Sequence, residues 1–207
     1  MGIRESAYEK GLYIAEKIVP LIENAREYRG QKKALFDVYD IILRGYNHRG
    51  AMEKTKKYIE TCEIYKGAVG IEDYIAHTLR TMVFYFNSLD FESALEAGLE
   101  LDKAVKELKK AYKACYETST LISQSIIVHG NDAQNFQFTL AGKLWSSIGQ
   151  AYGFLKKYSS AQRYFIKALK EFDINSDDYN ITMSHYLQLL ISSGKKEIYE
   201  EKSYIYS

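Results

Sequence analysis

The sequence predicts an all-α fold, a succession of helices joined by short turns, and three observations predict it. Apolar side chains recur at the 3.6-residue spacing of one helical face. Only one proline occurs in 207 residues. Short Gly or Asn/Asp clusters separate the periodic stretches, and no stretch alternates convincingly as a strand does.

The first helix is expected over about Glu5 to Arg29, with Tyr8, Leu12, Ala15, Ile18, Val19 and Ile22 on one face. Pro20 should kink or break it near Val19, because proline lacks the backbone N–H and crowds the preceding turn. After Gly30, the residues Leu35, Val38, Tyr39, Ile42 and Leu43 define a second helix that ends near Tyr46 to Gly50. A third, from about Ala51 to Tyr65, presents Met52, Thr55, Tyr58, Ile59 and Cys62. Gly67 to Gly70 reads as a loop, and a fourth helix runs from Ile71 to about Phe86.

From Phe91 the pattern changes. Leu101, Val105, Leu108, Tyr112, Cys115, Ser119, Ile122 and Ile126 are spaced alternately four and three apart, a heptad-like seam. One helix from about Phe91 to Val128 would be on the order of 55 Å long. Three outcomes are open: packing against a neighbour in the same chain, a dimerisation seam, or a break at Thr118-Ser119-Thr120. After His129 to Asp132, a helix carries Phe136, Leu140, Leu144, Ile148, Ala151, Tyr152 and Leu155. Its partner runs from Ser159 to about Phe172. Asn175 to Asp178 caps a further helix with Met183, Tyr186, Leu187, Leu190 and Ile191 inward, Gly194 ends it, and Lys195 to Tyr206 forms a short last helix.

One segment carries a repeat signature. Trp145, Ile148, Gly149 and Tyr152 are followed by Tyr158, Ala161, Phe165 and Ala168. This resembles the tetratricopeptide pattern W-x2-L-G-x2-Y followed by A-x3-F, with Ile148 in place of leucine. The physical logic is plain. Trp145, Ile148 and Tyr152 share a face, Gly149 and Ala161 are small where two helices approach, and Phe165 fills the space between units. The usual proline after the second helix is absent, and Asp173 stands near its place. The likeness is specific over about residues 142 to 173. Elsewhere it is architectural: around Ala94 only Tyr85, Phe91 and Ala94 agree well, and around Ala51 the positions are merely hydrophobic. The spacing from Ala51 to Ala94 exceeds the roughly 34-residue period, and that from Ala94 to Ala161 is nearly twice it.

The resemblance implies a right-handed solenoid of antiparallel helix pairs, a tetratricopeptide-like single domain over residues 1–207 or a piece of a longer regulatory protein. It implies a non-catalytic module that binds a peptide or protein in the groove lined by the first helix of each pair. Transferred to the matched unit, that groove is Lys143, Ser147, Gln150 and Phe154. By the weaker alignments it is Arg80, Val83 and Asn87, then Asp37, Asp40 and Arg44. Long-helix members of the family also suggest an alternative: the sensor or regulatory domain of a bacterial-type intracellular signalling protein responding to a peptide or small ligand. A homodimer through the long helix or the C-terminal end is a further expectation.

Composition narrows the classes. Lys and Arg number 28 against 27 Asp and Glu, a net charge of +1, which lacks the basic excess of a nucleic-acid binder. No apolar run approaches the roughly 20 residues that span a bilayer. The start Met1-Gly2-Ile3-Arg4-Glu5-Ser6 fits the myristoylation pattern formally but has no basic cluster beside it, so no membrane attachment is expected. Cys62 and Cys115 sit in helical patterns without a CxxC partner and read as reduced, buried thiols of a cytoplasmic protein. His48, His77, His129 and His185 form no metal-ligand spacing and are expected at the surface or at interfaces. No phosphate loop or nucleophile elbow appears. The carboxylates Glu92, Glu96 and Glu100 read as a solvated stripe. Neither enzyme activity, a cofactor nor a metal is expected. The 19 tyrosines suit helix packing and interfaces alike.

Overall fold

The computed structural model describes residues 2–119 and 131–194. Among them are eight α-helices and no strand: α1 (Gly2–Glu23), α2 (Gln31–His48), α3 (Met52–Tyr65), α4 (Ile71–Asn87), α5 (Phe91–Ser119), α6 (Asn131–Phe154), α7 (Tyr158–Leu169) and α8 (Asp177–Ser192). They pack as two compact units, Met1–Phe84 and Tyr85–Ser207.

In the first unit α1 runs through Pro20 to Glu23 rather than breaking at Val19. Proline deprives the helix of one bond, to the carbonyl four residues back. Here the lost bond is the one to the Glu16 carbonyl, and only three residues of helix follow Pro20, so a kink redirects no more than the last turn, which Asn24 closes. The Asn24 backbone N–H and side-chain amide both donate to the Pro20 carbonyl, at 3.1 and 2.8 Å. Gly30, in the left-handed region at φ 90°, turns the chain into α2.

The pairing of α1 with α2 is antiparallel, because contacts advance along one helix as they retreat along the other. Arg49 meets Glu9, Gly45 meets Leu12, Tyr46 meets Glu16 and Tyr39 meets Glu23. Gly45 sets the approach. A Cβ there would lie 2.8 Å from Leu12 Cβ, so any side chain would force the helices apart. Leu12, Ala15, Leu35, Phe36, Tyr39, Ile42, Tyr46 and Cys62 form the core, with α3 closing its far side. Tyr8, expected inward, is 43% exposed and instead stacks on His48 with ring centres 4.8 Å apart. Tyr39 and Tyr46 donate their hydroxyls to Glu23 and Glu16. Burial and then the Glu23 carboxylate raise the Tyr39 phenol above its ordinary range; the Glu16 hydrogen bond and then burial do so for Tyr46. Burial likewise pushes the Cys62 thiol well up, which makes it a packing residue rather than a nucleophile.

In the second unit the first part of the heptad seam faces inward: Leu101 and Val105 are buried on α5. The side chains of Leu108, Tyr112, Cys115 and Ser119 lie outside the described residues, as do Ile122, Ile126, His129, the side chain of Phe136 and the expected last helix from Lys195 to Tyr206. The helix α6 pairs antiparallel with α7: Gly142 meets Phe172, Gly149 meets Phe165 and Tyr152 meets Tyr164. A Cβ on Gly149 would lie 3.1 Å from the Phe165 ring, so the small residue sits at the close approach expected of it. Trp145, Ile148, Ala161, Phe165 and Ala168 are all buried. Ser176 caps α8, its hydroxyl accepting from the Tyr179 backbone N–H at 3.2 Å.

One buried carboxylate ties three helices of this unit together. Asp102 of α5, 1% exposed, accepts from Trp145 Nε1 at 2.7 Å, the Tyr164 hydroxyl at 2.8 Å and Lys167 Nζ at 2.9 Å, and pairs with Lys106 at 2.6 Å. Lys167 also lies over the Trp145 ring, 3.4 Å from its centre. Burial alone would raise the carboxyl's pKa. The bonds from Lys106, Lys167 and Tyr164 outweigh it and hold Asp102 below its ordinary range. Tyr164 is shifted the other way, by burial and by the anion it faces.

Candidate functional site

The helices α6 and α8 run parallel, side by side. Lys143 pairs with Asp178 at 3.1 Å, Ser146 accepts from the Thr182 hydroxyl at 3.0 Å, and Gly153 packs on Leu189. The partners stand roughly 35 positions apart at every contact, close to the ~34-residue step of a tetratricopeptide array. The two helices thus lie side by side from the Lys143–Asp178 pair to the Gly153–Leu189 contact.

Of the four candidates from the repeat-like segment, Lys143, Ser147 and Gln150 are half-buried and Phe154 is exposed. Lys143 is half-buried in its ion pair with Asp178. Ser147 is half-buried and donates its hydroxyl to the Lys143 carbonyl at 3.1 Å, which leaves the oxygen's acceptor side available. Gln150 and Phe154 enter a pocket of about 340 Å³ whose walls also include Gly153, Lys156, Tyr158, Phe165, His185, Gln188, Leu189 and Ser192. The volume lies at the lower end of the roughly 300–1,000 Å³ typical of ligand sites. Phe154 is 57% exposed and stacks on Phe91, ring centres 4.5 Å apart and planes within 10°, with Phe86 at 6.1 Å. The pocket mouth therefore continues into an aromatic shelf.

The floor of the pocket is apolar, from Phe165 and Leu189, and polar groups stand around it. His185 is half-buried, and its Nδ1 is enclosed without a hydrogen-bond partner. Burial lowers its pKa below the ordinary 6.5, so the ring is neutral at physiological pH. Sequence reasoning assigned His185 no role. On α8 its position is only one among polar and apolar residues, and the pocket it lines is created by α6, which lies far away in sequence.

The first-unit candidates separate into buried and exposed residues. Asp37 is exposed and paired with Lys33 at 3.2 Å, and Val83 is 50% exposed. Asp40, named as a groove residue, is 5% exposed and lies within the packing. One oxygen meets His77 Nδ1 at 3.0 Å; the other meets Arg80 at 3.3 Å and Arg44 at 3.6 Å. The structure thus brings Asp40, Arg44 and Arg80 together, but around one another. His77, expected at a surface or an interface, is fully buried. Its Nε2 faces the Thr81 hydroxyl at 3.5 Å, and its ring meets Phe36 edge-on and stacks on Tyr74. Burial lowers the Arg80 pKa, and its Nη1 is enclosed without a partner. Asn87, exposed at the end of α4, belongs to the second unit.

Among the described residues, no group of three or more His, Cys, Asp or Glu is placed to hold a metal ion, and no helix is long and apolar enough to cross a membrane. No family model, no curated protein and no solved structure matches the chain.

Proposed function

We propose that the chain is a non-catalytic binding module of tetratricopeptide type, a right-handed stack of helix pairs that holds an extended segment of another polypeptide along the α6–α8 face. The observation that carries this reading is the pocket between these parallel helices, which takes in Gln150 and Phe154 from the predicted groove and places Gln188 and His185 opposite. Glutamine amides offer a donor and an acceptor together, the pairing that a peptide main chain presents. Rigid helices supply them at fixed separation, so little ordering is required on binding. The register of α6 on α8 supports the repeat reading independently of the motif.

A photo-crosslinking amino acid placed at Phe154 tests the site, with Arg163, exposed on α7, as the control position. Cross-links to a short linear stretch of a partner are expected from position 154 and not from 163. Equal cross-linking from both positions would sink the assignment. The pocket's size also suits a small ligand, the requirement of a sensor domain. That second reading predicts a change in hydrodynamic radius when ligand binds, whereas a simple scaffold predicts none.

A further inference from the structure

We infer that the α6–α8 pocket selects an aromatic side chain with a carboxylate beside it in the bound segment. The inference rests on the peptide-binding reading above and names what that segment must carry.

The aromatic half follows from the walls. Phe154, Tyr158 and Phe165 line the pocket, with Leu189 completing the apolar floor. Gly153 keeps it open: a Cβ at that position would already lie 3.1 Å from Leu189 Cδ1, so a larger side chain would occupy the space itself. The volume of about 340 Å³ accepts one large side chain and excludes a helix. Flat rings gain most in such a place, because offset and edge-on contacts with other rings add to the area they bury. The Phe91–Phe154 stack at the mouth offers a second ring face to whatever enters.

The acidic half follows from charge. Lys156 is the one charged residue among those lining the pocket, and no carboxylate is among them. Its backbone is held at φ 57° in the turn after α6, anchored by its N–H on the Gly153 carbonyl at 2.9 Å. Its ammonium has no ion-pair partner among the described residues, unlike Lys143, which Asp178 already neutralises. His185 is neutral and adds neither attraction nor repulsion. A carboxylate next to the aromatic residue therefore meets a free cation, and a lysine there meets a like charge.

A random dodecapeptide display library panned on the full chain tests this. Binders would be sorted by whether Gln188→Trp abolishes capture. Gln188 is exposed on α8, so the indole plugs the pocket from outside without disturbing the core, and circular dichroism verifies the fold. Binders lost on Gln188→Trp are expected to share Phe, Tyr or Trp with Asp or Glu within two positions. Replacing the aromatic residue by alanine should weaken each about 10-fold or more. Replacing the acid by lysine should weaken it by about three-fold, and Lys156→Glu should reverse that preference. Pocket-dependent binders without an aromatic residue, or a charge preference untouched by Lys156→Glu, would overturn the selectivity and leave the groove reading standing. If no binder depends on Gln188, both fall.

Discussion

The Trp145 indole of α6 donates its N–H to the buried Asp102 carboxylate of α5 at 2.7 Å, and Lys167 of α7 closes the arrangement from above the ring. The tryptophan of the repeat-like sequence pattern is thus also the donor in a charged network. Removing one partner from a buried pair leaves the other uncompensated, which costs roughly 3–5 kcal/mol. Lys167 and Lys106 are partly exposed and can turn to water, so Asp102→Ala should cost about 3 kcal/mol, the low end of that range. Guanidinium unfolding followed by far-ultraviolet circular dichroism measures it. A loss below about 1 kcal/mol, the value of an exposed pair, would show that the network is idle.

Asp40→Ala should destabilise the first unit by a similar amount, about 3 kcal/mol or more. It leaves Arg80 half-buried and His77 fully buried without their acceptor. The same change should leave binding at the α6–α8 face unaltered. A variant of unchanged stability with impaired partner capture would return Asp40 to the groove.

Gly45→Val tests the contact between α1 and α2. The new Cβ meets Leu12 Cβ at 2.8 Å, where no flexible end can yield. Overpacking of this kind costs about 1–3 kcal/mol. Thermal unfolding should show a lower midpoint, and Leu12→Ala in the same chain should not restore it, because alanine keeps the Cβ that the new side chain strikes.

His185 makes the second unit sensitive to acid. Burial depresses its native pKa below 6.5, so the unfolded chain takes up the proton more readily. The stability it contributes is complete above that ordinary value and is lost as pH falls through the native pKa. Comparing unfolding at pH 7 and pH 5, His185→Gln should lose less stability on acidification than the parent chain. Identical losses would mean the imidazole is solvated in the native state.

Much of this fold is legible from periodicity. The inward sets of α2 and α3, the Trp145–Phe165 packing and the Ser176 cap all follow from local spacing, because each depends on neighbours within a few turns. Pro20 is a partial exception: its effect depends on how much helix remains beyond it. What the sequence hides are polar residues facing inward. Asp102 follows Leu101 on a helix rich in acids, and nothing local distinguishes it from the solvated Glu96 or Glu100. Its partners Trp145, Tyr164 and Lys167 arrive from two other helices. Asp40 and His77 are hidden for the same reason, 37 positions apart. Of the pocket residues, Gln150 and Phe154 were visible as groove candidates. The α8 wall needed the register of α8 on α6, which no pattern within either helix specifies.

Trp145 is the chain's only tryptophan, and it belongs to the second unit. Its emission, set by a carboxylate at the indole nitrogen and an ammonium over the ring, is a private signal of Tyr85–Ser207. Events confined to Met1–Phe84 have no such lamp and must be followed through tyrosine absorbance, where the Tyr39 and Tyr46 phenols, bound to carboxylates, supply the contrast. Tyrosine absorbance also reports Tyr164 on Asp102, so an event of the first unit is one that changes the absorbance while the tryptophan emission stays constant.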